Sequence, residues 1–250
     1  MLTNERHEYI LATLQRQHHV KIAQLTEDLN ASESTIRRDL TELEEAGLLV
    51  RVHGGATIKK TTIRELSIAD KSSKNLQSKK AIAQLAASTI QEGDFIFIDA
   101  GTTTFEMIPH LQNKNITVVT NGLTHLESLS LAGVKTYLTG GLVKENTRAL
   151  VGISALYSLD QYRFDRCFLG VNGMHTTLGF TTPDPEEAAI KKRALELSQQ
   201  CFILADHSKW DETSFSFIAP LQEATIITDI QDETIVERLT EITTVRTCSV

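Results

Sequence analysis

From residue 80 onward, short apolar runs alternate with helical stretches, and no other feature of the chain constrains its fold as tightly. The apolar runs are "FIFID", "ITVVT", "KTYLTGG", "RCFLGVNG", "CFILAD", "ATIITD" and "TTVRTCSV". Between them stand "KKAIAQLAASTIQ", "TTFEMIPHL", "LTHLESLSLA", "EEAAIKKRALELSQQ" and "ETIVERLTEI". Strands that short and that apolar are buried on both faces, and the helices between them supply the crossovers that parallel neighbours need. The alternation predicts an α/β domain over 80–250, with a parallel or mostly parallel sheet covered by helices on both faces.

The first 57 residues follow a different rule. "TNERHEYILATLQRQ" reads as a helix capped by Thr3 or Asn4, with Ile10 and Leu14 on one face. "IAQLTEDLN" places Ile22, Leu25 and Leu29 at i, i+3, i+7. "SESTIRRDLTELEEAG" begins at a natural N-cap, Ser32, aligns Ile36, Leu40 and Leu43, and ends at Gly47, where a C′ glycine belongs. "LLVRVHGGATI" then alternates around a Gly54-Gly55 turn, as a hairpin does. Three short helices and a hairpin outline a winged helix-turn-helix over 1–57. Residues 58–79 are polar, lack clear periodicity and read as a linker.

At 250 residues the chain is long enough to bury a sizeable core without disulfides or metals. The odd, widely spaced Cys167, Cys201 and Cys248 read as reduced thiols, the first two buried in apolar runs. No charged-then-apolar leader opens the chain and no apolar run approaches membrane-spanning length, so a soluble cytoplasmic protein is expected. The formal net charge of −7 argues at first against nucleic acid, but its distribution matters more than its sum. Residues 1–60 carry 8 Lys+Arg and 9 Asp+Glu, whereas 46–64 contain Arg51, Lys59, Lys60 and Arg64 and no acid. Such a local basic stripe suits phosphates.

Within "STIRRDL", Ile36 and Leu40 anchor the helix inward, so Arg37 and Arg38 leave the core-facing side. Ser32, Ser34 and Thr35 stand beside them at the helix start. Hydroxyls suit phosphate oxygens, and arginine suits either phosphate or a guanine edge. On its own the pair is also compatible with an ordinary solvated helix; the upstream helix, the turn and the hairpin weigh toward DNA.

In the larger domain, polar groups recur at strand ends. Asp99, Gly101, Thr102, Thr103 and Thr104 follow "FIFI"; Thr120 and Asn121 follow "ITVV"; Gly140 and Gly141 follow "TYLT". Asn172 and Gly173 follow "FLGV", and Asp206 with Lys209 follows "FILA". In open α/β sheets ligands bind beyond the carboxyl ends of strands. Threonines and backbone N–H groups suit a phosphate, and Asp and Asn suit hydroxyls, so a small phosphorylated polyol fits this rim. "DAGTTT" is neither G-x-G-x-x-G nor a Walker A loop, so no nucleotide and no cofactor is expected.

The stretch from "LTNERHEYI" to "RVHGGA", above all "STIRRDL" and "RVHGGA", resembles the N-terminal domain of DeoR-family transcriptional regulators. "DAGTTT", "VVTNGL", "LTGG", "FLGVNG" and "ADHSKW" resemble the effector domain of the same family, so the resemblance covers nearly the whole chain. It implies a third helix in the major groove with Ser32, Ser34, Thr35, Arg37 and Arg38 facing DNA. Arg51, His53, Gly54 and Gly55 would form the wing. It further implies a Rossmann-like α/β effector domain, similar in fold to ribose-5-phosphate isomerase and coenzyme A transferases, that senses phosphorylated sugars. "GFTTPDPEEAAIKKRA" is similar to fructose-operon repressors of Gram-positive bacteria, with lactose/tagatose-pathway repressors as near neighbours. Glu187 and Lys191, one turn apart, either reach the pocket or form an i, i+4 pair on the surface. The expectation is a repressor, a homodimer or homotetramer on double-stranded operator DNA, whose DNA binding is controlled by a sugar phosphate such as fructose 1-phosphate.

Two other readings compete. A sugar-phosphate isomerase needs a positioned carboxylate base, for which Asp99, Asp206 and Glu187 are candidates, but no paired-carboxylate motif stands out. A metal-dependent regulator needs ligand spacings such as H-E-x-x-H or C-x-x-C, which do not occur. The histidines read as surface residues, with His207 alone near the rim beside Trp210, the single tryptophan.

Overall fold

The computed structural model describes residues 3–17, 19–46, 48–52, 54–58 and 68–249. Its contacts divide the chain into two compact units, Met1–Arg64 and Glu65–Val250.

In the first unit, α1 (Thr3–Gln17), β1 (His19–Lys21), α2 (Ile22–Asp28), α3 (Glu33–Glu45), β2 (Leu49–Val52) and β3 (Gly55–Ile58) follow in order. The apolar positions of the three helices meet in one buried cluster that also takes Val20, Leu49 and Ala56. Ser32 caps α3, its hydroxyl accepting the Thr35 N–H at 3.2 Å. Gly47, read above as the C′ glycine, lies outside the described residues, as do His18 and His53.

The hairpin differs from its sequence reading in two respects. It belongs to a three-stranded sheet of order β1-β3-β2, because the three-residue β1 pairs antiparallel with β3. Gly55 also belongs to a strand rather than to the turn, since it pairs with Val52, and Gly54 is left in the turn. Gly54 has φ 83°, which glycine adopts without cost, and a Cβ there would meet open space. Gly55 lies in β3, where a Cβ would fall 1.9 Å from the Val20 carbonyl oxygen. The close approach that Gly55 permits is therefore to β1 of its own chain.

The second unit runs α4 (Ile68–Ser73), α5 (Leu76–Ser88), β4 (Phe95–Ile98), α6 (Thr102–Phe105), β5 (Thr117–Thr120), α7 (Leu123–Leu131), β6 (Lys135–Leu138) and the hairpin β7 (Leu142–Val143) and β8 (Leu150–Val151). It continues with α8 (Ile153–Leu159), β9 (Phe164–Gly170), β10 (Gly173–His175), β11 (Gly179–Thr182), α9 (Pro185–Glu196) and β12 (Ser198–Leu204). β13 (Ser216–Ala219), β14 (Thr225–Thr228), α10 (Glu233–Thr240) and β15 (Val245–Thr247) complete it. Seven strands form the main sheet in the order β15-β14-β12-β9-β4-β5-β6, with every pairing parallel.

Alternation along the strands feeds two separate cores. Phe97, Val119, Cys167, Leu169 and Ile203 pack with α8, α9 and α10 on one face. Ile96, Ile98, Val118, Phe168 and Leu204 pack with α5 and α7 on the other. Cys167 and Cys201 are free, buried and side by side in register. The chain leaves β4 toward β5 and β6, then returns to β9 on the other flank of β4. That reversal places a crevice beyond the carboxyl ends of β4 and β9.

Three local features escape the sequence pattern. The span 58–79, read as linker, holds α4 and the start of α5; Asn75, left-handed at φ 53°, turns the corner between them. "TTFEMIPHL" is not one helix but the short α6 and a 3-10 turn at Ile108–Leu111, where Pro109 lacks the N–H that a continuing helix needs. A small antiparallel sheet, β10-β11-β13, stands apart from the parallel one. Among the described residues, no helix is long and apolar enough to cross a membrane.

Gly55→Ala should destabilise the first unit by about 1–3 kcal/mol, the usual cost of overpacking, because the new methyl collides with backbone. Urea unfolding of the full chain tests this. Wild-type stability in the variant would mean that β1 is not held against β3.

Candidate nucleic-acid face and effector site

The exposed start of α3 carries the residues singled out from "STIRRDL". The Ser32 hydroxyl lies 2.8 Å from those of both Ser34 and Thr35. Arg37 donates to Glu33 at 2.9 and 2.5 Å, and Arg38 donates to Glu42 at 3.1 Å. Both pairs are exposed i, i+4 contacts, the Arg38 side chain being 82% accessible. Such pairs are worth about 0–1 kcal/mol, so a phosphate or a guanine edge can replace the glutamate with little penalty.

Arg51 is less free than its place in the wing implies. Its guanidinium donates to Thr41 Oγ1 and its N–H donates to Glu44, each at 2.8 Å, which braces β2 against α3. Gly54 occupies the open turn, and His53 lies outside the described residues.

Missing from the sequence reading is the clamp behind this face. Arg6 of α1 forks onto the buried Asp39 of α3 at 2.7 and 2.8 Å. Asp39 follows Arg38 directly, so the clamp fixes the rotation at which α3 presents its arginines. His7, Asp39 and Glu42 bring three donor atoms within 4.8 Å of one another. A cation there would have to displace the Arg6 guanidinium from Asp39.

In the second unit Asp99, which follows β4 beside β9, is buried at 1% exposure. Its Oδ2 accepts the ammonium of Lys191 and the Gly170 N–H, the latter at 3.0 Å. The Thr104 hydroxyl sits 3.1 Å from Oδ1. Lys191 and Glu187 are therefore not a surface pair. Both are 8% exposed, and Glu187 accepts from Lys144 at 3.0 Å and from the Thr147 hydroxyl at 2.7 Å, both in the β7–β8 hairpin. Asp184 caps α9 and takes the same lysine at 2.9 Å. Burial would raise the Glu187 carboxyl; Lys191, Thr147 and Lys144 outweigh it and hold the carboxyl below its ordinary value.

Several expected ligand groups have internal partners instead. Asn121 accepts the Ala100 N–H and donates to the Leu150 carbonyl. The Thr120 hydroxyl accepts from Gly122, and the Gly101 N–H goes to Thr104. Asn172 accepts from Thr182 at 3.1 Å. Gly141, at φ 122°, and Gly173 are tight backbone approaches, a Cβ falling 2.5 Å from the Val151 oxygen and 2.3 Å from the Glu212 oxygen. Gly140 is exposed, while Thr102 and Thr103 lie on α6 at the rim.

Asp206 and Lys209 form a second cluster. The buried Asp206 accepts from Ser208 N at 3.0 Å and from the Asn75 side chain at 2.9 Å. Burial lowers the Lys209 ammonium; Asp206 opposes that shift, while Lys74 and Lys71 add to it. His207 reaches Asp229 at 2.8 Å, a polar loop contact.

His125 contradicts the reading of the histidines as surface groups. It is 1% exposed, lies 3.4 Å from Thr104 Oγ1 and meets Phe105 edge-on at 5.4 Å. Burial pushes its pKa down to about 4 from 6.5. The folded form binds its proton less readily than the unfolded form, so stability is lost as pH falls from 6.5 to about 4. That loss should reach about 3 kcal/mol, and His125→Gln should flatten it. Identical pH dependence of unfolding in the two proteins over this window would sink the assignment.

Two family models match the chain. The DeoR-like helix-turn-helix domain covers residues 6–62 and the DeoR C terminal sensor domain covers 74–230. The chain is 50% identical over 248 residues to the uncharacterized HTH-type transcriptional regulator FruR of Bacillus subtilis (strain 168), covering 98% of each chain. It is 37% identical to the HTH-type transcriptional regulator GlpR of Haloferax volcanii, over 92% of this chain and 91% of that protein. It is 33% identical to the lactose phosphotransferase system repressor of Staphylococcus epidermidis, over 91% and 92%. Among solved structures, ribose 5 phosphate isomerase A from Neisseria gonorrhoeae matches with TM-score 0.41 and 18% identity, over 53% of this chain and 52% of that one. With both domains matched in order and relatives aligned over almost its whole length, the chain belongs to the DeoR family of transcriptional regulators and is a regulator rather than an enzyme.

Proposed function

We propose that the protein is a cytoplasmic repressor of a sugar-utilisation operon, most simply a fructose operon, and that a sugar phosphate such as fructose 1-phosphate releases it from its operator. The observation that carries this reading is the buried rim of the second unit. Asp99, Glu187 and Asp206 stand there beside Lys191, Lys144 and Lys209, and Glu187 and Asp206 are held below the ordinary carboxyl value. A site with both signs of charge suits a ligand that is anionic at one end and hydroxylated elsewhere. The fructose assignment draws on the similarity of "GFTTPDPEEAAIKKRA" to fructose-operon repressors, and the relative at 50% identity bears the name FruR. The relative named as a lactose phosphotransferase system repressor supports tagatose 6-phosphate as the second ligand to test.

On the DNA side, Ser32, Ser34, Thr35, Arg37 and Arg38 of α3 would meet the major groove. Gly54 would lie at the wing tip, with Arg51 and Gly55 supporting the wing from behind. A homodimer or homotetramer would place two such helices on a repeated or palindromic site. An effector that prefers the arrangement unable to bind DNA shifts the population toward it.

Arg38→Ala should weaken operator binding by about tenfold or more with unchanged thermal unfolding; binding at wild-type strength would remove Arg38 from the interface. Asp99→Asn and Lys209→Ala should keep operator affinity but shift release by fructose 1-phosphate to about tenfold higher concentration. A normal release curve in both would refute the rim as the effector site.

A further inference from the structure

The face where β6, the β7–β8 hairpin and α8 meet is apolar and open to solvent. Leu142 is 67% exposed, Ile153 64% and Tyr157 66%, and Leu123, Tyr137 and Val143 are each more than a third exposed. Local contacts gather these side chains into one area. Leu142 pairs with Val151, two residues before Ile153. Ala155 and Leu159 bury one side of α8, which turns Ile153 and Tyr157, one turn apart, to solvent. The Tyr137 ring meets that of Tyr162, just past α8, at 5.9 Å. Leu123 N donates to the Arg148 carbonyl of the hairpin at 3.0 Å. Among the described residues, no strand pairs with the outer edge of β6. Charge is absent as well: 136–143 and 149–159 contain no Asp, Glu, Lys or Arg, in a chain whose formal net charge is −7.

We infer that this face holds a second copy of the chain, packed about a two-fold axis so that the outer edge of β6, β7 and α8 meet their counterparts. The inference rests on the homo-oligomeric repressor proposed above and says which surface builds it. At about 200 Å² for a fully exposed large side chain, the six residues present roughly 600 Å². A stable interface takes about 800 Å² from each partner, as an apolar core and a polar rim, so the core is present before the rim is counted. Two copies of one acidic chain repel, and they approach most readily where neither carries charge. The tip of the hairpin supplies one exposed charge of each sign, Glu145 and Arg148. A two-fold axis sets unlike groups of one patch against each other. An unpaired edge of neutral residues is itself a template for another strand, and an antiparallel copy of β6 is what a two-fold axis perpendicular to the sheet offers.

The position of this face links assembly to the effector rim. Lys144 and Thr147 of the same hairpin hold Glu187 at 3.0 and 2.7 Å. Asn146, between them, accepts Ile68 N at 3.1 Å, at the start of α4, the first described element after the division between the two units. A ligand that draws Glu187 or Lys144 away would shift the hairpin on which the second copy rests. The pairing of the two chains would change, and with it the spacing of their two α3 helices.

Sedimentation velocity of the full-length protein tests the face. Ile153→Glu combined with Tyr157→Glu should weaken self-association about thirtyfold or more, taking a homodimer to monomers or a homotetramer to dimers. Both side chains are exposed, so the circular dichroism of the helices should not change. Phe215→Ser, at an exposed aromatic beside β13 and outside the face, should leave assembly at wild-type strength. A palindromic operator should bind the double variant more weakly than the wild type, while a single half-site should bind both equally. Without any substitution, the amides of 153–159 should exchange more slowly at protein concentrations where the assembly forms; exchange independent of concentration would count against the face. Wild-type self-association in the double variant, or dissociation by Phe215→Ser in its place, would overturn the face while the oligomeric repressor stands. A wild type that binds the operator as a monomer at every concentration overturns the face and the proposed assembly together.

Discussion

The Asp99 carboxylate, buried at the tip of β4, is the contact on which the effector domain turns. It joins the ends of β4 and β9 through the Gly170 N–H, draws Lys191 of α9 across the crevice and faces Thr104 of α6. A buried ion pair of this kind adds little to stability, because the desolvation of both charges offsets their attraction. Breaking it leaves a charge stranded, so the pair acts as a positional lock. A ligand that offers Asp99 its hydroxyls and frees Lys191 would exchange one satisfied arrangement for another, which is the property a sensor needs. From this lock the contacts run outward by way of α9, from Glu187 to Lys144 and Thr147 of the hairpin and on to Asn146 and Ile68.

The first unit obeys a comparable rule. The proposed recognition surface is exposed and weakly paired, while its supporting contacts are buried and strong. Arg37 and Arg38 rest on solvent-facing glutamates, but Asp39 between the two faces is fully engaged by Arg6. On the proposed reading, affinity for DNA is left to groups that change partners readily, and orientation is left to groups that do not.

Much of this was legible in the sequence, because burial writes itself into periodicity. The three helices of the first unit and the strands of the main sheet follow from apolar spacing alone, and the strand-end rule pointed to Asp99 and Asp206. What escaped was whatever depends on partners far apart in the chain. No local pattern shows that Arg6 meets Asp39, 33 residues on, or that Lys191 meets Asp99, 92 residues away. Glu187 and Lys191 read equally well as a surface pair, since one-turn spacing does not distinguish partners from neighbours that face elsewhere. His125 was missed because a histidine inside "LTHLESLSLA" carries no mark of depth. The α4–α5 corner reads as linker because α4 is short and the first buried residues of α5, Ser78 and Lys79, are polar.

The central claim, that the second unit senses a phosphorylated sugar and thereby controls the first, is tested most directly by one titration. The purified protein is bound to the promoter DNA flanking its gene and challenged in a gel shift with fructose 1-phosphate and, separately, with fructose. Release by the phosphate ester at concentrations where the free sugar does nothing is the predicted result. An operator complex that neither fructose 1-phosphate nor any other hexose phosphate disturbs would contradict the account, leaving a DNA-binding protein whose rim answers to some other ligand.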